Sequence, residues 1–203
     1  MRTRLPRAER EQQMLAAARA LFAERGYAAV TMDHVAATVG VTKPLLYAYF
    51  GNKERLYLAC MEPAARALRD ELAEALAEAD EPADALELGV RAFFSFVDRD
   101  RDAWRVLFDE TLPSGGDIAR RAAEHREQLE AMVARIVVSR LPRAGRRRAA
   151  MEVEALSTAL LGAAESLARW WLRTGALSAG EAAELLIATV EPGLRARTAG
   201  VIG

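Results

Sequence analysis

The side chains most able to do chemistry at a defined spacing lie between residues 43 and 53. Lys43, Tyr47, Tyr49 and Lys53 bring two ammonium groups and two phenol hydroxyls into that short segment. Both kinds of group donate hydrogen bonds to phosphate oxygens, which take about half to two-thirds of the hydrogen bonds between proteins and DNA. Lys43 and Lys53 are also the only lysines among 28 basic residues. The segment therefore predicts a surface that binds a phosphate backbone.

Patterns typical of enzymes are missing from the sequence. It contains no G-x-S-x-G, no G-x-x-x-x-G-K-[ST] and no H-E-x-x-H, which are the spacings of a serine hydrolase, a nucleotide-binding loop and a zinc protease. Cys60 and His125 are a formal nucleophile and base, but nothing in the sequence places them together. Two histidines and one cysteine leave little material for a metal site. We therefore expect no enzyme, no cofactor and no metal.

Charge is unevenly distributed along the 203 residues. The chain has a net charge of −1, but residues 1–57 carry +4 and the remainder carries −5. A basic front on an acidic body predicts that a polyanion binds the front only. The alternative is an ordinary fluctuation in a small number of charges.

Composition and length indicate a protein of the cytoplasm. At about 100–200 residues per domain, the chain is long enough for one domain or two small ones. A single cysteine, Cys60, excludes an internal disulfide framework. We expect no membrane span, because Glu165 interrupts the apolar run at residues 159–164. The amino end alternates charges too early for the apolar core of a signal peptide.

Helix-forming residues and helix-ending signals run through the whole chain, and they predict an all-α fold. Residues 7–25 repeat apolar side chains at helical spacing, and Gly26 ends that helix. Thr31 can cap a second, short helix that runs to the turn at Gly40. Thr42 can cap a third helix, with a proline tolerated in its first turn.

Residues 31–50 consequently predict a helix-turn-helix. Its inner face would be Val35, Val39, Leu46 and Phe50, and its turn would use the flexibility of Gly40. In this motif the second helix enters the major groove of DNA.

The same segment resembles a known family. The run from Thr31 to Leu56 is similar to the amino-terminal signature of the TetR-type (tetracycline-repressor-like) transcriptional regulators, and the matching positions are Thr31, Val35-Ala36, Gly40-Val41, Leu46-Tyr47, Phe50, Lys53 and Leu56. The resemblance implies a helix-turn-helix DNA-binding domain over residues 1–52. It also implies a helical effector-binding and dimerisation domain over residues 53–203. Such a protein would be a ligand-responsive homodimeric repressor that binds a palindromic operator.

The resemblance also implies roles for individual residues at the DNA. Thr31, Thr42, Tyr47, Tyr49 and Lys53 would hold phosphates, and the residues that would meet base edges are Lys43, Pro44 and Leu45. Lys43 could donate to guanine acceptors. Arg2, Arg4 and Arg7 would form an arm that adds phosphate contacts, or else a solvated tail.

A long helix over residues 146–174 carries two apolar stripes. The first is a seam of three- and four-residue steps, with Val153, Leu156, Leu160, Ala163, Leu167 and Trp170. The second contains Leu161, Ala164, Ala168 and Trp171. One stripe would face the chain's own core and the other a partner subunit, although both could be internal. In the resembled family the last two helices pair across the dimer, and we place Leu185 and Leu186 in that interface together with the seam.

The resemblance further implies a pocket for a small effector among the middle helices. Its candidate wall residues are Phe93, Phe94, Trp104, Phe108, Met132, Trp170 and Trp171, although such residues are also ordinary core. An apolar or aromatic effector fits them. Glu110, Glu165 and Arg169 could orient it, but surface positions are the expected alternative. Pro63 would interrupt the fourth helix and help to transmit effector binding as a change in half-site spacing.

A second function remains open at this point. The chain could be an all-helical protein that binds a small molecule or a protein partner, with its helix-turn-helix either vestigial or used for protein contacts. Salt-dependent binding to duplex DNA distinguishes the two.

Overall fold

The computed structural model describes residues 6–139 and 146–201, without the side chains of residues 82–83, 146–149 and 194–201. All regular structure in those ranges is helical, which confirms the all-α prediction. The helices are α1 (Arg7–Ala29), α2 (Met32–Val39), α3 (Lys43–Phe50), α4 (Lys53–Ala77), α5 (Pro82–Arg99), α6 (Arg101–Leu107), α7 (Gly116–Ser139), α8 (Arg146–Thr174) and α9 (Ala179–Val201). Arg2 and Arg4 of the predicted basic arm lie outside the described residues.

The helices form two compact units. The N-unit contains residues 1–67 and 100–125, and the C-unit contains residues 68–99 and 126–203. The predicted boundary between residues 52 and 53 falls inside the N-unit, because α6 and the first part of α7 pack with the amino-terminal helices. This packing joins segments far apart in sequence, so local patterns could not indicate it.

An aromatic cluster forms the centre of the N-unit. The Tyr57 ring meets the rings of Phe22 and Tyr27 edge-on, at centroid distances of 4.9 and 5.1 Å. The Tyr57 hydroxyl donates to the Val106 carbonyl at 2.6 Å, so its polar end is satisfied within the core. This cluster ties α1 and α4 to α6.

The last part of α1 is kinked at Gly26, a position that requires glycine. Gly26 has φ +75° and ψ 160°, a region that is essentially restricted to glycine. The backbone N–H groups that follow it are held by the loop after α6: Tyr27 donates to the Asp109 carboxylate at 2.7 Å, and Ala28 donates to the Thr111 hydroxyl at 3.2 Å. The regular helix is therefore broken at Gly26, where the sequence predicted its end, but α1 continues beyond this kink to Ala29.

Pro63 does not interrupt α4, contrary to our expectation. The helix continues through it from Lys53 to Ala77. Proline removes one backbone hydrogen bond, and burial of Met61, Ala64, Ala65 and Leu68 around it holds the helix together. In the part of the chain that the structure describes, none of the helices is both long and apolar enough to span a membrane.

The core of the C-unit lies among α5, α8 and α9. Trp171 is its largest buried side chain on α8; its ring lies 5.9 Å from that of Phe94, and its indole N–H donates to the Leu177 carbonyl at 2.6 Å. A capping box at Ser178 and Glu181 starts α9.

Candidate nucleic-acid interface

Local hydrogen bonds at both ends of α2 position the helix-turn-helix. The Thr31 hydroxyl accepts the backbone N–H of His34 at 3.2 Å, and His34 Nδ1 accepts the backbone N–H of Thr31 at 3.3 Å. Thr31 is thus the cap that the sequence predicted, and the imidazole reciprocates it. At the other end Gly40 adopts a left-handed conformation with φ +73°, which makes the turn into α3 tight.

Thr42 occupies the N-cap position of α3, but its hydroxyl forms no capping hydrogen bond. The backbone carbonyl of Thr42 instead accepts the N–H groups of Leu45 and Leu46, both at 3.1 Å. Pro44 lies in the first turn, where its missing N–H costs nothing. The exposed hydroxyl of Thr42 is therefore available to a ligand at the start of α3.

The two faces of α3 are clearly separated. Leu46 and Phe50 are buried against the core, together with Val35 of α2. Lys43, Pro44 and Tyr47 are exposed, and Tyr47 keeps 41% of its surface accessible. The remaining candidates on this helix, Leu45 and Tyr49, are half-buried. The outer face of α3 thus presents an ammonium, a phenol ring with its hydroxyl and a proline ring to solvent.

Two basic side chains already have partners at this surface. The Lys43 ammonium lies 2.8 Å from the Asp33 carboxylate, and this hydrogen bond raises the pKa of Lys43. The Arg7 guanidinium lies over the Tyr49 ring, 5.2 Å from its centroid. Of the proposed basic arm, Arg7 is thus packed against the DNA-binding candidate Tyr49.

The Lys53 ammonium is bound by two backbone carbonyls, which the sequence did not predict. Its ammonium donates to the carbonyls of Tyr27 and Val30, both at 2.9 Å, and lies 4.0 Å from the centroid of the Tyr27 ring. Partial burial lowers its pKa. Lys53 therefore fastens the connection between α1 and α2. Its phosphate contact stays a prediction, for which one of its three N–H groups remains.

Three further residues of the N-unit were missed by the sequence analysis: Asp33, Asp109 and Thr111. Asp33 carries an opposite charge ten positions before Lys43, and this spacing across a helix-turn-helix is a usable signal. Asp109 and Thr111 bind the end of α1 from more than eighty residues away. No local pattern could have paired them.

The predicted effector residues are divided between the two units. Phe93, Phe94 and Trp171 are buried in the C-unit, whereas Trp104 and Phe108 belong to the N-unit, with ring centroids 5.7 Å apart. The last two candidates lie in the C-unit, where Met132 is half-buried and Trp170 is 38% exposed.

The residues proposed to orient an effector differ in burial. Glu110 is exposed and Arg169 is half-buried. Glu165 is buried, contrary to the expected surface position, and pairs with Arg126 at 2.7 Å. Burial raises the pKa of Glu165. A carboxylate with a shifted pKa thus lies within the C-unit, where an orienting group would be needed.

The described chain leaves one of the two stripes of α8 uncovered. The second stripe is the covered one, because Ala164, Ala168 and Trp171 are buried. Along the seam Leu156 and Ala163 are exposed, and the half-buried positions are Val153, Leu160 and Leu167. On α9 Leu185 is 52% exposed, whereas Leu186 is buried within its own unit and offers little surface to a partner.

The cysteine and histidine that form a formal nucleophile and base in the sequence, Cys60 and His125, are both buried. The Cys60 thiol is buried, and burial raises its pKa to about 12, which makes it a poor nucleophile. His125 is buried beside Glu62, with 3.4 Å between His125 Nε2 and the Glu62 carboxylate. Among the residues described by the structure, no three His, Cys, Asp or Glu side chains are grouped to hold a metal ion.

Comparisons with known proteins agree with this geometry. A family model described as bacterial regulatory proteins of the tetR family matches residues 14–60. A second model, described as the C-terminal domain of tetracycline repressor-like proteins, matches residues 79–194. These regions together cover the helix-turn-helix and most of the chain behind it.

Individual relatives are similar over different lengths. The HTH-type transcriptional activator FasR of Mycolicibacterium smegmatis is 37% identical over 116 residues, which are 57% of this chain and 53% of FasR. The chain spans about half the length of the first curated relatives that it matches.

Two solved structures show the similarity of the fold. A TetR-like regulator from Rhodococcus sp. RHA1 has a TM-score of 0.76 and 31% identity over 95% of this chain and 99% of the other. AibR, solved with isovaleryl coenzyme A and operator DNA, has a TM-score of 0.68 and 19% identity over 90% and 98%. FasR and the Rhodococcus protein have a name or title that describes a regulator of transcription.

Proposed function

We propose that this chain, which belongs to the TetR family of bacterial regulatory proteins, acts as a homodimer that binds a palindromic operator. Binding of a small effector would release the protein from the operator or change its affinity for it. The family consists of transcriptional regulators, not enzymes. FasR is named an activator, so membership alone does not give the direction of regulation.

The observation that carries the DNA-binding proposal is the exposed face of α3. Thr42, Lys43, Pro44 and Tyr47 are exposed along it, while Leu46 on the opposite side is fully buried. A helix fixed by its buried face and presenting donors on the other can enter a major groove without rearrangement.

The roles at the operator remain as the family likeness suggests. Thr31, Thr42, Tyr47, Tyr49 and Lys53 would hold phosphates, and those that would meet bases are Lys43, Pro44 and Leu45. Lys53 would make its contact while it holds the Tyr27 and Val30 carbonyls.

Dimerisation is proposed through the uncovered seam of α8 together with α9. Exposed Leu156, Trp170 and Leu185 support it, because a face with several exposed large apolar side chains marks an interaction site. Two copies would then present their α3 helices to half-sites about 34–36 Å apart.

An apolar or aromatic effector is proposed for the C-unit, supported by buried Phe93, Phe94 and Trp171. AibR, which has the same fold, was solved with both an acyl coenzyme A and DNA.

The decisive experiment is selection of duplexes from a random library by the wild-type protein, followed by affinity measurements over a range of salt. The selected duplex should contain an inverted repeat, and its association constant should fall linearly with salt on logarithmic axes. Tyr47→Phe, which removes one exposed hydroxyl, should weaken binding by about tenfold, from about 0.7 kcal/mol at each half-site.

Tyr57→Phe is the matched control, because its hydroxyl donates inside the core to the Val106 carbonyl. It should lower the thermal midpoint and leave affinity for the duplex unchanged. Failure to enrich any duplex, even at low salt, would refute the proposal and favour a helix-turn-helix used for protein contacts.

Adding isovaleryl coenzyme A or benzoate to the bound complex tests the effector, and release by neither would exclude these two representatives of acyl and aromatic ligands.

A further inference from the structure

The helix-turn-helix carries almost no charge of its own. Between Thr31 and Phe50 the sequence has one basic residue, Lys43, and one acidic residue, Asp33. This is unusual for a segment that would enter the groove of a polyanion, since phosphate contacts ordinarily draw on Lys and Arg. The charge of Lys43 therefore matters more here than it would in a strongly basic helix.

The structure pairs these two charges. Asp33 lies in the first turn of α2 and Lys43 begins α3, and the ammonium lies 2.8 Å from the carboxylate. Both side chains remain accessible, at 48% for Lys43 and 65% for Asp33. The pair thus lies on the surface, beside the exposed face of α3.

The hydrogen-bonding capacity of Lys43 is then divided. An ammonium has three N–H donors, and Asp33 takes one of them. Two donors remain, and the major-groove edge of guanine offers two acceptors, N7 and O6. Because the carboxylate also restricts the long lysine side chain, part of the ordering cost is met before DNA arrives.

The same carboxylate makes Lys43 a poor ligand for phosphates in general. An ammonium that is already paired with a carboxylate releases less counterion from the DNA, and a phosphate that approaches it also approaches the negative charge of Asp33. Loss of this carboxylate would turn Lys43 into an ordinary point charge that binds any duplex.

We propose that Asp33 is a specificity-determining residue of the nucleic-acid interface: it positions the Lys43 ammonium for guanine and keeps its charge from strengthening binding to other sequences. This inference rests on the proposed DNA-binding function. Asp33 is a positioning residue, because it acts through Lys43.

The test compares wild type, Asp33→Asn, Lys43→Ala and the double variant on two duplexes. One duplex is selected by the wild-type protein from a random library, and the other has the same composition in scrambled order. Asp33→Asn should tighten binding to the scrambled duplex about fivefold and weaken binding to the selected one about twofold, so that the preference falls about tenfold. Its salt slope on the scrambled duplex should steepen by about one for each subunit bound.

Three controls separate this role from a structural one. In the Lys43→Ala background, Asp33→Asn should change binding to both duplexes by the same factor. Asp33→Glu keeps the charge and should restore most of the preference. Glu87→Gln makes the same change of charge beside Arg91 in the C-unit, and should leave the preference unchanged.

The proposal is overturned if Asp33→Asn changes both duplexes equally while Lys43 is present, or if it lowers the thermal midpoint and both affinities together. Failure of the wild-type protein to select a duplex would instead refute the proposed function. Replacing the most strongly selected guanine by 7-deazaguanine removes N7, and it should weaken binding by the wild type but not by Lys43→Ala. Equal weakening of both would also overturn the assignment.

Discussion

The two units of the chain differ in how completely each covers its own apolar side chains. Five large hydrophobic side chains are exposed in the described part of the protein, and four of them, Met151, Leu156, Trp170 and Leu185, lie on α8 and α9 of the C-unit. The fifth is Tyr47, whose hydroxyl faces solvent on α3. Within a single chain the N-unit thus covers nearly all of its large apolar side chains. The C-unit leaves several of them exposed on α8 and α9, where another surface could cover them.

Their polar interiors differ as well. In the N-unit the Asp109 carboxylate accepts the backbone N–H of Tyr27 and lies 3.4 Å from the Tyr57 hydroxyl oxygen, so it contacts both α1 and α4 from the loop after α6. In the C-unit the buried carboxylate is Glu165, which pairs with the half-exposed Arg126. The first arrangement fixes backbone positions, and the second places an ionisable group where its charge is costly.

The largest effect should come from charging the uncovered face. Leu156→Glu combined with Leu185→Glu should convert a dimer to a monomer, because both side chains are exposed in the single chain. Four leucines per dimer at about 1.5 kcal/mol each amount to about 6 kcal/mol, or about four powers of ten in the dissociation constant. Sedimentation velocity measures this directly.

Helicity of that double variant, followed by circular dichroism, should stay unchanged, since the core of the unit is not touched. Ala155→Glu is the matched control, on the same helix and exposed, but about 100° around it from Leu156. A double variant that remains dimeric would show that this face is not the interface, and the contrast between the units would lose its explanation.

An intermediate effect is expected at Gly26, the glycine at the kink of α1 beside the loop after α6. In Gly26→Ala the new Cβ would lie 2.6 Å from the Thr111 hydroxyl oxygen, at a φ of +75°. We expect a loss of about 3 kcal/mol in the free energy of unfolding, from backbone strain and from displacement of Thr111. Urea unfolding gives the value.

Gly40→Ala is a milder comparison, because the left-handed conformation of Gly40 (φ +73°, ψ 35°) is less strained for alanine than the conformation of Gly26 (φ +75°, ψ 160°). Gly40 has a similar φ of +73°, but no atom lies within 4 Å of its added Cβ, so the cost should be about 1 kcal/mol. Thr111→Ala should recover part of the loss in the Gly26→Ala background. Equal costs at Gly26 and Gly40 would mean that the loop after α6 yields freely, and that the N-unit is less rigid than its contacts indicate.

The smallest effect concerns the buried carboxylate of the C-unit. Burial raises the pKa of Glu165, so the folded chain binds its proton more tightly than the unfolded chain does. The stabilisation is therefore present at pH values below the unfolded value of about 4.3 and is lost as the pH rises through the higher folded pKa. The wild-type free energy of unfolding, minus that of Glu165→Gln, should decrease from pH 4 to pH 7, as measured by urea unfolding.

Glu127→Gln, on the exposed surface of α7, serves as the control and should show a smaller change over the same range. A difference between wild type and Glu165→Gln that increases with pH would show that the ion pair with Arg126 outweighs burial. The two units would then handle their buried carboxylates in the same way.

Much of the fold was predictable because its signals are local. Helical periodicity, the cap at Thr31 and the turns at Gly26 and Gly40 each depend on a few neighbouring residues, and the structure places the cap and both turns where the sequence predicted them. Pro63 was misread, because a proline inside a helix is tolerated when packing on either side supplies the stability that the lost hydrogen bond removes.

The sequence by itself determined the helix-turn-helix, its buried face and the family. The tertiary structure decided which stripe of α8 is covered, and it found partners for Lys53 and for the end of α1 in distant segments. The difference comes from the sequence separation over which the stabilising interactions act. A helix and its caps form from interactions within one or two turns, whereas burial and hydrogen bonding between segments depend on which surfaces the whole chain brings together.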